Sequence, residues 1–147
     1  GALEAVRREK LIGSGAEARV AVFVEDEALR AELEALAGKE EVEADGVDEL
    51  RYWFLTSYVE LAGSAEEATA VGGALSSDED VEGLGRCAVG VAKAHGSKCE
   101  RCWNFSRLVG KDAVHTTLCE RCVPVVTAAG VAPPPPAGAV VTETAAV

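Results

Sequence analysis

The spacing of apolar residues changes several times along the first ninety-odd positions, and each change marks an element. Residues 2–12 are good helix formers and run into Gly13-Ser14-Gly15, which predicts a helix with a glycine stop. Residues 18–25 are apolar on both faces beyond Arg19, the pattern of a strand in the middle of a sheet. Asp26 is placed to cap a helix in which Leu29, Leu33 and Leu36 recur at i, i+4 and i+7, with Gly38 closing it. Residues 50–59 are rich in aromatic and β-branched side chains and predict a second strand. Residues 60–82 are acidic and rich in Ala, Gly and Ser, and Ser76 to Asp80 read as an exposed connection. Over 86–94, Cys87, Val89 and Val91 alternate, which predicts a third strand with Cys87 as a buried strand residue rather than a ligand. Pro133 to Pro136 sit in an Ala/Gly/Val stretch without pattern, as expected of a disordered tail. The expected fold is α+β. Residues 1–95 form a small mixed sheet with two helices, 96–126 a separate module, and 127–147 the Pro-rich tail.

Length and charge narrow this picture. The 147 residues leave room for one modest domain and an appendage. There is no methionine, at position 1 or elsewhere, as expected of a fragment of something longer. A single Ile amid abundant Ala, Gly and Val points to a GC-rich genome. No secretory signal or twenty-residue apolar span is present, so a soluble, cytoplasmic chain without membrane contact is expected. The net charge of −11 argues at first against nucleic acid, but it is segregated: residues 1–85 carry −14 and residues 86–126 carry +4. A locally basic module on an acidic support can still meet phosphate, with weak, salt-sensitive binding and poor long-range steering.

The chemistry lies in that basic segment. Cys99-Glu100-Arg101-Cys102 and Cys119-Glu120-Arg121-Cys122 are two Cys-x-x-Cys pairs separated by sixteen residues. Each pair can fold as a knuckle offering two thiolates, and the insert is long enough for a hairpin that returns the second pair to a shared metal. Four thiolates close a tetrahedral shell around one Zn²⁺ and leave no position for water or substrate, so such a site is structural. A structural zinc supplies about 10–16 kcal/mol of folding free energy, enough to hold a short segment with few large apolar residues. Four thiolates and the ion bring the module's charge to about +2. The other readings of the same cysteines are two disulfides, disfavoured inside cells, or a redox pair, which two matched copies make a poorer fit.

Lys98-Cys-Glu-Arg-Cys-Trp103 followed by Cys119-Glu-Arg-Cys122 resembles the C-terminal zinc module of bacterial isoleucyl-tRNA synthetases. Ala2 to Gly13, Ala16 to Val20, Leu55-Thr56-Ser57 and Val91 to Gly96 also fit, so the resemblance covers residues 1–126 and includes the end of the anticodon-binding region. That family often has Ser-Leu where Gly15-Ala16 stands here. The resemblance implies a piece of a class I aminoacyl-tRNA synthetase, which joins isoleucine to its tRNA using ATP and edits misactivated valine. None of that chemistry is carried here: there is no His-x-Gly-His motif, no Lys-Met-Ser-Lys-Ser loop and no nucleotide-binding fold, so no catalytic residue is assigned. The piece would hold isoleucine tRNA near the anticodon, as a monomer joined to the rest of the synthetase.

In the family, the Arg inside the first knuckle and the Trp just after it are associated with anticodon contact, and they map onto Arg101 and Trp103. An unstacked base can stack on indole, and a guanidinium can bind phosphate or a base edge in a bidentate manner. Alternatively, Trp103 packs over the cysteine sulfurs. Arg121 holds the matching place in the second knuckle and reaches phosphate or stays solvated. Lys98, Arg107 and Lys111 are backbone-contact candidates. His115, four residues before Cys119, is expected in a turn or on the surface, and His95 in a loop. Two other functions fit the cysteine spacing. One is a zinc ribbon for protein contact alone, including docking onto its own enzyme. The other is the finger of formamidopyrimidine-type DNA glycosylases. Against the glycosylase, the chain starts Gly-Ala-Leu-Glu instead of Pro-Glu, and Val114 stands where that family has an Arg.

Overall fold

A computed structural model describes residues 1–37 and 49–132. The proposed stop at Gly38 and the segment Pro133 to Pro136 lie outside them. A four-stranded mixed sheet forms the body, in the order β2-β1-β4-β3: β2 is Tyr58–Leu61, β1 Ala18–Val24, β4 Gly85–Lys93 and β3 Ser77–Val81. Strand β1 runs parallel to β2 and antiparallel to β4, with Val20 opposite both Val59 and Val91. The strand expected to be central is therefore central.

Alternation along β1 divides the core into two unlike halves. Val20, Val22 and Val24 point to one face, where they meet Val6 of α1 (Ala2–Arg8), Ile12, and Leu29 and Leu33 of α2 (Glu27–Leu36). Ala21 points to the other face, where Ala88 of β4 meets Ala62 and the Ala65 and Ala68 of α4 (Ala65–Gly72). Small side chains on both sides let α4 lie almost on the strand. A Cβ on Gly90 would overlap the Ala68 carbonyl oxygen, and one on Gly72 would sit 2.7 Å from the Val91 nitrogen. Asp26 caps α2 as expected, its carboxylate accepting the Leu29 N–H at 2.7 Å. Helix α1 stops at Arg8, short of the glycines, because Lys10 takes the left-handed conformation (φ 58°) and the Leu11 N–H returns to the Val6 carbonyl.

Two expectations fail for local reasons. The strand placed at 50–59 is a helix, α3 (Glu49–Phe54), followed by a turn and then β2. Leu50 and Phe54 lie at i, i+4 and face inward, while Tyr52 and Trp53 face solvent. Helical spacing and a leucine with φ 54° at position 55 override the β preference of aromatic residues, which is strongly context-dependent. The acidic stretch at 60–82 is not a plain connection. Ser64 caps α4 by accepting the Glu67 N–H, and Glu67 reaches back to the Gly63 N–H at 2.7 Å. Ser77–Val81 then pairs along β4 as an edge strand. Asp78, Glu79 and Asp80 are exposed there, and such charges discourage edge-to-edge aggregation. Arg86 anchors this edge, binding Asp78 through two nitrogens and Glu66 at 3.0 Å. The described residues of the 1–95 unit thus hold four α-helices rather than two, and four strands in the sheet rather than three. Cys87 lies in β4 as expected and is half-buried. No helix among the described residues is long and apolar enough to cross a membrane.

Candidate metal centre

The two knuckles are assembled by different elements. A short hairpin, β5 (Ser97–Lys98) with β6 (Phe105–Ser106), carries the first. The Cys99 N–H bonds the Asn104 carbonyl and the Trp103 N–H bonds the Cys99 carbonyl, both at 2.9 Å. Closing this loop puts Trp103 in the left-handed region, φ 66°, an uncommon conformation for a bulky side chain. The second knuckle sits at the start of α5 (Cys122–Ala128), where the Cys122 and Val123 N–H groups return to the Cys119 carbonyl. That helix crosses the module boundary expected at 126.

The four sulfurs converge. All lie within 4.8 Å of one another, and Cys102 Sγ is 3.6 Å from Cys119 Sγ. A zinc ion with sulfurs at about 2.3 Å in a tetrahedron spaces them about 3.8 Å apart. A disulfide needs about 2.05 Å, and all five cysteines are free. Cys99, Cys119 and Cys122 are buried among Leu118, Val126 and Val109, and Cys102 is half-buried beside them. Burial pushes the Cys102, Cys119 and Cys122 thiols up. Burial acts the same way on Cys99, but backbone N–H groups of Cys102, Cys119 and Arg101 outweigh it and bring this thiol down to about 7. The donor set and its spacing fit zinc.

The two knuckle arginines cross over. Arg101 points a guanidinium nitrogen at Cys122 Sγ (3.6 Å), and Arg121 points one at Cys102 Sγ (3.9 Å). Each arginine therefore lies beside a thiolate of the opposite knuckle, where positive charge offsets that of a four-thiolate zinc site. Trp103 does not cover the sulfurs: it is 64% exposed, with the Lys98 ammonium 5.0 Å from its ring centre. Lys111 and the Arg107 side chain are on the surface. His115, expected in a turn or at the surface, is in a turn but only 6% exposed; its backbone N–H bonds the Asp112 carboxylate, and it is not among the converging ligands. His95 is an exposed loop residue with its ring tilted against Tyr58.

The module is bolted to the sheet through the turn before β2. Ser57, fully buried, donates its hydroxyl to the Ala16 carbonyl and accepts the Phe105 N–H at 2.7 Å. The Tyr58 hydroxyl accepts the Arg107 N–H, and the Tyr52 hydroxyl accepts from Arg121 at 3.3 Å. Sequence reasoning gave these residues no role. A serine or tyrosine that bridges two elements looks like any other until the elements meet.

Residues 96–125 match the zinc-finger family described as found in FPG and IleRS. Similarity to curated proteins extends much further. The isoleucine–tRNA ligase of Nostoc sp. is 46% identical over 124 residues, covering 84% of this chain and 12% of the ligase. That of a Cyanothece species is 44% identical over 124 residues, with the same coverage. That of Thermosynechococcus vestitus is 45% identical over 120 residues, 82% of this chain and 12% of the ligase. The chain thus spans about 12% of the length of the curated relatives it matches. Similarity of this extent also leaves the glycosylase reading without support outside the finger itself. In sequence the chain corresponds to the C-terminal region of isoleucine–tRNA ligases, with a zinc finger of the FPG and IleRS type at residues 96–125.

Proposed function

We propose that this chain is the part of an isoleucine–tRNA ligase that holds tRNA on its anticodon side, on a surface built around one structural zinc ion. Cys99, Cys102, Cys119 and Cys122 are the ligands in this reading. The ion cross-links the hairpin to α5 and performs no chemistry on substrate. Trp103 offers an indole face to an unstacked anticodon base, and Arg101, Arg121, Lys98, Arg107 and Lys111 supply positive charge for phosphates. The parent enzyme uses ATP to attach isoleucine, in the cytoplasm and as a monomer, with its catalytic groups outside these residues.

The observation that carries this reading is the placement of Trp103. Trp103 is 64% exposed on the first knuckle, beside a lysine and in the basic part of the chain. A ring needed only to shield sulfur would be covered. The crossing of Arg101 and Arg121 to the thiolates refines their roles: each stabilises the site first and meets RNA with its remaining N–H groups.

Docking is a second role with its own support, because Ser57 and Tyr58 tie the module to the sheet. The two roles are compatible, since a module must be fixed to position RNA. The test uses fluorescence. Trp53 is also exposed, so the Trp53→Phe variant, in which Trp103 is the sole indole, is titrated with isoleucine tRNA and with a non-cognate tRNA. Saturable quenching that is weaker with the non-cognate RNA supports the reading. Binding without any change in Trp103 emission contradicts it.

A further inference from the structure

A second surface beside the zinc module has no assigned role. It is a cleft of about 240 Å³ between the end of α3 and the module, lined by Tyr52, Leu55 and Thr56 on one side and Asn104 and Arg121 on the other. We propose that this cleft receives a second unpaired RNA base, next to the one that stacks on Trp103. The inference rests on the RNA-binding reading above and adds a subsite to it.

The lining matches a base in shape and in chemistry. The volume falls below the roughly 300–1,000 Å³ of sites for drug-sized ligands, so a single flat group suits it. Tyr52 is 56% exposed and supplies a ring for stacking. The Arg121 guanidinium already lies 5.8 Å from the centre of that ring, as it would beside a stacked base. The Asn104 side-chain amide both donates and accepts, which suits a base edge. Arg121 brings guanidinium N–H donors to the cleft wall, and these suit a base carbonyl or ring nitrogen.

The walls carry no carboxylate. Leu55 has φ 54° and is 76% exposed, an apolar side chain held out from a strained turn. The turn is locked because Gly15 lies directly under the Leu55 carbonyl: a Cβ there would sit 2.6 Å from the oxygen. The exposed Leu55 side chain offers an apolar edge to a stacked base. The larger cleft beside β2, about 360 Å³, is less suited to RNA. Its Arg19 and Arg30 already pair with Glu60 and Glu34, which also line it. In the proposed cleft no acidic residue faces the ligand.

The test measures binding of the zinc-loaded 147-residue chain to a fluorescein-labelled, unpaired seven-nucleotide RNA by anisotropy. A fully paired RNA of the same length is the comparison. Tyr52→Ala and Asn104→Ala are read against Trp103→Ala, with zinc content and far-ultraviolet circular dichroism confirming that each variant is folded. The proposal expects Tyr52→Ala to weaken binding of the unpaired RNA by about five- to 150-fold, the effect of losing one stacked base. Tyr52→Phe keeps the ring and most of the affinity, Asn104→Ala weakens binding, and the paired RNA is little affected throughout. If Trp103→Ala weakens binding but Tyr52→Ala and Asn104→Ala do not, the subsite is overturned while the RNA-binding reading stands. Equal losses for paired and unpaired RNA overturn the subsite as well. No RNA binding by the unmodified chain at low salt overturns both.

Discussion

Replacing Ser57 with alanine should detach the zinc module from the sheet. The hydroxyl is fully buried and makes two hydrogen bonds, one to the Ala16 carbonyl and one from the Phe105 N–H. Alanine fits the space, so the loss is purely polar: both bonds go, and two backbone groups are left in a dry interface. Each buried group deprived of its partner costs about 1–3 kcal/mol, which puts the total for the two at about 2–6 kcal/mol. That is a large share of the roughly 5–15 kcal/mol that holds an ordinary domain. The assay is urea unfolding of the zinc-loaded chain, with circular dichroism reporting the sheet and a colour-forming chelator reporting zinc release. For a urea slope of about 2 kcal/mol per molar, the midpoint should fall by about 1–3 M. Zinc release should move at least as far as the dichroism signal, because Phe105 ends the hairpin that carries the first knuckle. A shift below about 0.3 M would refute the claim that this serine joins the two parts.

Three further outcomes follow from the same geometry. Cys99→Ser should abolish tight zinc binding and unfold residues 97–126, leaving most of the helical dichroism of the sheet and its helices. Complete loss of helix would mean that the parts fold as one unit. Gly90→Ala should destabilise the chain by several kcal/mol, because the new methyl would collide with the Ala68 carbonyl on α4 and overpacking of this kind costs about 1–3 kcal/mol or more; an unchanged melting temperature would contradict the close helix–strand contact. Arg86 holds the Asp78 carboxyl below its usual range through hydrogen bonds, and it acts with backbone N–H groups to lower Glu66. Acids lowered in this way contribute stability above their unfolded values, near 3.8 and 4.5, and lose it as pH falls through the lower folded ones. The stability difference between the unmodified chain and Arg86→Gln should therefore be present at neutral pH and shrink below about pH 4, and a difference that persists at pH 2 would argue against the ion pairs.

Much of this was legible before the chain was folded, and the rest was hidden for identifiable reasons. The convergence of the four cysteines could be read because a metal-binding donor set depends on residue type and spacing that survive in one dimension. The central strand could be read because beyond Arg19 it is apolar on both faces, the pattern of a strand covered on both sides. Residues 50–54 misled because aromatic composition outweighed the inward pairing of Leu50 with Phe54. Helix α4 was missed because its buried face is alanine, which carries little hydrophobic signal, and its cap at Ser64 was lost in a polar run. The exposed edge strand at 77–81 was missed because its charges resemble those of a loop. Ser57 and Tyr52 could not have been found at all, since their partners are distant in sequence.

The most direct test of the account asks whether the tRNA-binding surface exists only when zinc builds it. Labelled isoleucine tRNA is titrated with the chain as loaded with zinc, after chelation, and after zinc is restored. The account predicts saturable binding with zinc, its loss on chelation and its return with one equivalent of the ion. Equal binding by the metal-free chain would contradict it, since the four cysteines, Trp103 and the knuckle arginines would then have no part in holding RNA.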